Sequence, residues 1–210
     1  VGVVAMSLVF FAGLRPVHWF AIIFAAGIAL FWRTRRSLVF HILLSSLVLV
    51  LVDRNDRAAV YSPYYAISYD QNQGHLSVMT NGSFHQIALP LARSATLDDP
   101  TWAPVREGYH LPSRLLGRPP RNVLVHGAGT GNDVAVALDE GAQTVDAVEI
   151  DPEILKLGRL HPHRPYESDR VTTWNTDARA FLNYNETKYD LIVFGTLDSM
   201  TRLSALSNVR

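Results

Sequence analysis

A parallel α/β sheet, preceded by a small antiparallel β-domain and by apolar helices, is the fold class this chain predicts. Three observations point to it. Acidic residues are missing from the first quarter, the middle alternates with the period of strands around an Asn-Gly pair, and the last ninety residues alternate short apolar runs with helical stretches.

The 210-residue chain carries 19 basic and 19 acidic side chains and is 48% hydrophobic. From Val1 to Val52 there is no acid and only four Arg, whereas all 19 acids lie from Asp53 onward, so the two parts face different solvents. Pro16 to Trp32 and Ser37 to Val52, 17 and 16 residues long, each reach about 24 to 26 Å against a bilayer core of about 30 Å. With Trp19 and Trp32 near the ends of the first and Arg33, Arg35 and Arg36 between the two, they read as a marginal helical hairpin in a membrane. Residues 1–52 are thus expected to be membrane helices, and the protein a multi-pass membrane protein with its soluble part on the cytoplasmic side. The positive-inside rule sets the Arg cluster against that topology unless the second segment is re-entrant or upstream helices set the orientation. The chain starts at Val1 and stops at Arg210 just after a strand, and reads as a fragment.

Residues 53–60 form a polar linker. Residues 61–118 follow as a small β-domain with a connecting helix, in which Asn81-Gly82 between Leu76–Thr80 and Ser83–Leu89 signals a two-residue hairpin whose turn positions need positive φ. Leu91 to Pro104 reads as loop, and Tyr109 to Leu116 as a short helix stopped by Pro119-Pro120. Residues 119–210 are the Rossmann-like part. Strands are expected at Asn122–His126, Thr144–Glu149, Val171–Trp174 and Tyr189–Phe194, separated by helices at Asp133–Glu140, Pro152–Leu160 and Ala178–Tyr184.

Zero net charge leaves no basic stripe for phosphates, so nucleic acid is not an expected partner. With no Cys there is no thiolate metal site and no Cys nucleophile. His161 and His163 lack a third ligand and read as part of a solvated, Pro-rich loop, so no metal is expected. His126 reads as a strand-end residue, Tyr64 and Tyr65 as packing of the small sheet, and Asp133 either as complementing a helix dipole or as touching ligand.

Gly127-Ala128-Gly129-Thr130-Gly131 follows a strand and opens a helix, and Glu149 ends the next strand, where an acid accepts from both hydroxyls of a ribose. A nicotinamide fingerprint would place its third Gly at 132, which is Asn; the Gly-x-Gly-x-Gly spacing is instead like that of adenosylmethionine-binding folds. Asp177 and Asp198 follow the third and fourth strands, so four strand ends deliver their residues to one sheet edge.

In order along the chain stand Ser62-Pro-Tyr-Tyr-Ala-Ile67, Asn81-Gly82, Tyr109-His110, Val123 to Gly131, Val148-Glu-Ile-Asp151, Thr176-Asp-Ala178 and Tyr189-Asp-Leu-Ile-Val193. In order and spacing this series, over Tyr61 to Ser199, resembles spermidine synthases and related aminopropyltransferases. The resemblance implies a β-domain before a methyltransferase-type Rossmann-like domain, and transfer of an aminopropyl group from decarboxylated S-adenosylmethionine to a polyamine. It also implies that Gly127 to Gly131, Glu149, Ile150, Asp177 and Ala178 hold the nucleoside, with Glu149 at the ribose and Asp177 and Ala178 at the adenine. On the same implication Asp198 steers a cationic acceptor and Tyr109 lines the pocket. The partners expected are a small-molecule polyamine or other acceptor, the membrane, and a second copy of the chain in a homodimer.

The departures from the family fall on the amine half. Thr130 stands for the Asp of Gly-Gly-Gly-Asp-Gly, and Gly195-Thr-Leu-Asp198-Ser199 replaces Asp-Ser-Ser-Asp-Pro. Tyr65 stands for a Gln, Leu111 for a Glu, and Asn81-Gly-Ser-Phe-His85 for Asp-Gly-x-x-Gln. In the family the two lost acids hold the ammonium and help take a proton, which neither Thr nor Gly does. Two alternatives stay open beside aminopropyl transfer. One is a methyltransferase using intact S-adenosylmethionine, and the other is a non-catalytic nucleoside or polyamine sensor tied to the membrane.

Overall fold

The computed structural model describes residues 12–56, 60–72, 74–96 and 100–195. The chain divides into two compact units, Val1–Ser68 and Tyr69–Arg210.

In the first unit α1 (Pro16–Phe31) and α2 (Arg35–Asn55) form a hairpin. Their seam is built on a close approach. A Cβ on Gly27 would fall 2.4 Å from His41 Nε2, and that nitrogen donates to the Phe24 carbonyl at 3.2 Å. Apolar residues away from the seam stay exposed, among them Ile23, Phe40, Leu43 and Leu47. Residues 36–55 of α2 are long and apolar enough to cross a membrane, whereas α1 is apolar but has only 16 residues. Of the two expected spans, therefore, one reaches the necessary length.

The helix also runs three residues past Val52, where the linker was expected to begin. Arg15 accounts for this extension: its guanidinium lies 3.0 Å from Asp53 and 2.9 Å from Asp56, which also accepts from the Tyr61 hydroxyl. The acids at the end of the helix thus have partners. After it, β1 (Val60–Tyr61) pairs antiparallel with the start of β2 (Ala66–Asn72), around a turn in which Ser62 Oγ accepts from the amides of Tyr64 and Tyr65.

In the second unit β3 (His75–Thr80) and β4 (Ser83–Ala88) form the expected hairpin. Asn81 and Gly82 have φ of 52° and 78°, the positive pair of a two-residue turn. The connecting helix α3 spans Ala103–Leu116, longer than the expected Tyr109–Leu116. Pro104 falls in its first turn, where a missing N–H costs nothing, and His110 pins its middle. His110 Nε2 donates to the Leu91 carbonyl at 2.8 Å and Nδ1 lies 2.5 Å from Glu140.

The second sheet has the strands β5 (Asn122–His126), β6 (Thr144–Glu149), β7 (Val171–Asn175) and β8 (Leu191–Phe194), with α4 (Asn132–Asp139), α5 (Pro152–Leu157) and α6 (Ala178–Tyr184) between them. It is parallel, in the order β7-β6-β5-β8. Val123 and Val125 pack with Val134 and Ala137 of α4, while Leu124 turns to Phe181 of α6. Covered on both faces, β5 reads as the continuous apolar run of a central parallel strand. All strand C-termini open on the edge that carries the predicted site.

Candidate active site

The five residues between β5 and α4 reverse the chain through three positive φ angles: 65° at Gly127, 58° at Gly129 and 108° at Gly131. Space demands glycine as well. A Cβ would come within 2.4 Å of Gln86 Oε1 at Gly129 and 2.6 Å of Pro165 at Gly131. The loop is tied to the sheet by the Ala128 N–H on the Val148 carbonyl at 3.0 Å. On its other side, the Tyr166 hydroxyl donates to the Gly129 carbonyl at 2.8 Å.

Glu149 meets this loop directly. Only 7% exposed, it accepts the Gly129 N–H on Oε2 and the Asp151 N–H on Oε1, both at 2.9 Å. Burial pushes its carboxyl pKa up, and the N–H groups of Asp151, Gly129 and Ile150 pull the other way. Of the roughly four lone-pair sites of a carboxylate, these donors leave part free. The carboxylate is therefore oriented by backbone donors while it retains capacity for hydroxyl donors.

The neighbouring strand ends are laced to the same place. Asn175 Nδ2 donates to the carbonyls of Glu149 and Ile150 at 2.9 and 3.0 Å, and the Thr176 N–H reaches the Glu149 carbonyl at 3.2 Å. Asp177 caps α6, its Oδ1 accepting from the amides of Arg179 and Ala180, and Ala178 opens that helix. Gly127 to Gly131, Glu149, Ile150, Asp177 and Ala178 thus stand along one edge of the sheet. Asp198 lies outside the described residues.

Tyr109 is placed differently from a simple pocket wall. Its hydroxyl accepts from Asn132 Nδ2 at 3.2 Å, its ring packs beside Leu89, Leu91 and Val136, and burial raises its pKa. Asn132, which sequence reasoning passed over as a failed third glycine, is the hub of this region. Nδ2 also donates to the Ile87 carbonyl at 2.7 Å, while Oδ1 accepts the Leu89 N–H at 3.1 Å and His161 Nε2–H at 3.0 Å. All four hydrogen-bonding positions of the amide are used.

His161 is accordingly buried, not solvated as expected, and its Nδ1 accepts the His163 N–H at 3.0 Å. Burial holds its pKa down to about 3, so the ring is neutral. Among the described residues no cluster of His, Asp or Glu is arranged to hold a metal ion.

Two of the amine-half departures, Thr130 and Gly195, sit in closely defined surroundings. Thr130 is fully buried, and its N–H and Oγ1 both donate to Gln86 Oε1, at 3.0 and 3.1 Å. A Cβ at Gly195 would sit 2.6 Å from the Gly127 carbonyl oxygen, so the backbone leaves no room for an acid there. Asp133 is half-buried in the first turn of α4, where burial raises its pKa to about 6.

No family model and no curated protein sequence matches this chain. Among solved structures it is similar to a spermidine synthase from Thermotoga maritima, at 14% identity over 68% of this chain and 50% of that one, with a TM-score of 0.44. A spermidine synthase in complex with the transition-state analogue AdoDATO gives 14%, 65%, 49% and 0.45. A Pyrococcus horikoshii protein assigned as an RNA methyltransferase gives 21%, 50%, 55% and 0.36. The chain spans about half the length of each of these structures.

Proposed function

We propose that this chain carries the nucleoside site of a transferase whose co-substrate is an adenosyl sulfonium of the S-adenosylmethionine type. The observation that carries the reading is the contact of Glu149 Oε2 with the Gly129 N–H at 2.9 Å, inside a loop of three positive-φ glycines at the carboxyl edge of a parallel sheet. On this reading the ribose hydroxyls donate to the remaining lone pairs of Glu149. Ile150, Asp177 and Ala178 border the adenine, and the amino-acid half of the donor runs over Gly127 to Gly131.

The chemistry is displacement at a carbon bound to the sulfonium. The acceptor's lone pair forms the new bond, the carbon–sulfur pair returns to sulfur as a neutral thioether, and the acceptor sheds a proton. A cationic leaving group needs no acid, so the site contributes positioning above all.

Thr130 and Gly195 favour methyl transfer over aminopropyl transfer, because neither offers a carboxylate to an ammonium. Aminopropyl transfer to a polyamine is the second reading. It is favoured by the sequence resemblance across the small sheet and the glycine loop, and it would assign the steering of the acceptor to Asp198. In either case α2 anchors the protein in a bilayer, with His41 bonded to the partner helix instead of to lipid.

The test is calorimetric titration of the full chain in detergent with S-adenosylmethionine. Wild type is expected to bind, and Glu149→Gln to bind about ten- to a hundredfold more weakly, the value of hydrogen bonds to a charged acceptor. Equal affinities would remove Glu149 from the site, and binding without turnover of any acceptor would leave the sensor reading.

A further inference from the structure

Gln86 is brought by β4 to the top of the glycine loop, where its amide lies over the position a Cβ would take on Gly129. Its orientation is set chemically. Thr130 offers two donors, N–H and Oγ1–H, and both point at Oε1, so the other end of the amide is the NH2 group. That Nε2 is shut off from solvent and has no hydrogen-bond partner among the described residues. A buried donor left unmade is costly, and each such group calls for an explanation.

An unpaired NH2 group asks for an acceptor, and its place beside the glycine loop says which part of a ligand would supply it. On the reading above, which this inference rests on, the amino-acid half of the donor crosses that loop. Intact S-adenosylmethionine carries an α-carboxylate there. The decarboxylated form has lost that acceptor and keeps an ammonium, which has donors only. Thr130, locked to the same Gln86 oxygen, puts no carboxylate beside it to repel an anionic group.

We propose that Gln86 is a specificity-determining residue, whose Nε2 donates to the carboxylate of intact S-adenosylmethionine and so selects it over the decarboxylated form. The contact would satisfy the buried donor and hold the amino-acid half of the co-substrate while the methyl group is presented to the acceptor.

Gln86→Glu isolates the donor cleanly, because the shape and the oxygen that accepts from Thr130 are kept and only NH2 is exchanged for oxygen. Competition titrations of the full chain in detergent compare S-adenosylmethionine, its decarboxylated form and 5′-methylthioadenosine, which has neither carboxylate nor ammonium. Wild type is expected to prefer the intact donor at least about tenfold. Gln86→Glu is expected to lose or invert that preference while its affinity for methylthioadenosine stays within about twofold of wild type. Gln86→Met, without the added charge, should lose the preference without inverting it, and guards against misfolding of the Glu variant. A wild-type protein that binds the nucleosides but prefers the decarboxylated donor, or variants that keep the wild-type ratio, would overturn the role of Gln86 alone. A wild-type protein that binds none of the three would overturn the nucleoside site itself.

Discussion

At Gly129 two constraints fall on a single residue: a φ of 58°, and Gln86 Oε1 only 2.4 Å from any added Cβ. Gly129→Ala therefore strains the backbone and displaces the amide that holds Thr130, and a loss of about 2 kcal/mol or more is expected in chemical denaturation. The opposite sign is expected at His126. This imidazole is fully buried between Phe181 and Phe194, with neither ring nitrogen hydrogen-bonded among the described residues. Burial lowers its pKa, so the ring is held neutral. His126→Leu removes the orphaned polar atoms and should raise stability by about 1 kcal/mol or more, read as a higher melting temperature. Gly127, Gly129, Gly131 and Glu149 were legible in the sequence, because each is fixed by its place at a strand end. Gln86 and Asn132 were not, because their meaning lies in partners more than twenty residues away, and a side-chain amide shows no periodicity.

Elements tell the same story with different causes. The Asn-Gly hairpin and β5 to β8 follow from local signals, and their bounds lie close to those of the expected strands. The ends of α2 and α3 do not. Asp53 stays helical because Arg15 neutralises it, and α3 starts early because Pro104 is acceptable in a first turn. The turn holding His161 was misread because two His and two Pro look solvated in sequence, yet His161 props the start of α4 through Asn132.

That placement has a pH signature. His161 titrates near 6.5 unfolded and near about 3 folded, so between those values the unfolded chain binds more protons and stability falls as pH falls. The slope from this group is at most about 1.4 kcal/mol per pH unit, and its contribution is intact above about pH 6.5. Urea unfolding of wild type and His161→Gln across pH 4 to 7 should show the variant to be less pH-dependent. Identical slopes would mean that His161 is not the group responsible.

For the molecule as a whole, composition was the most informative signal. Within the acid-free first quarter, Pro16–Phe31 and the helix from Arg35 form a hairpin with many apolar side chains exposed, and the mixed remainder holds sheets with ordinary buried cores. Exposure on this scale along α2 predicts that the full chain fractionates with membranes and resists extraction by alkaline carbonate, and that it enters solution with detergent. Recovery in the carbonate supernatant would remove the anchor from the account. The reaction is set by side chains rather than by the fold, because the same sheet edge serves many transfers. The proposal of methyl over aminopropyl transfer rests on Thr130 and Gly195, which bring no carboxylate to the loop, and on the Gln86 amide bonded to Thr130.

The measurement that bears most directly on the nucleoside site is an amide-resolved NMR titration of the full chain in detergent with S-adenosylmethionine. The glycine amides are well separated from most others, and Gly129 donates to Glu149 itself. The expected result is saturable shifts at Gly127, Gly129 and Gly131 and at Ile150 and Ala178, with smaller or no shifts in β3. Binding that leaves the glycine loop unmoved, or no binding at all, would contradict the assignment of this edge as the adenosyl sulfonium site.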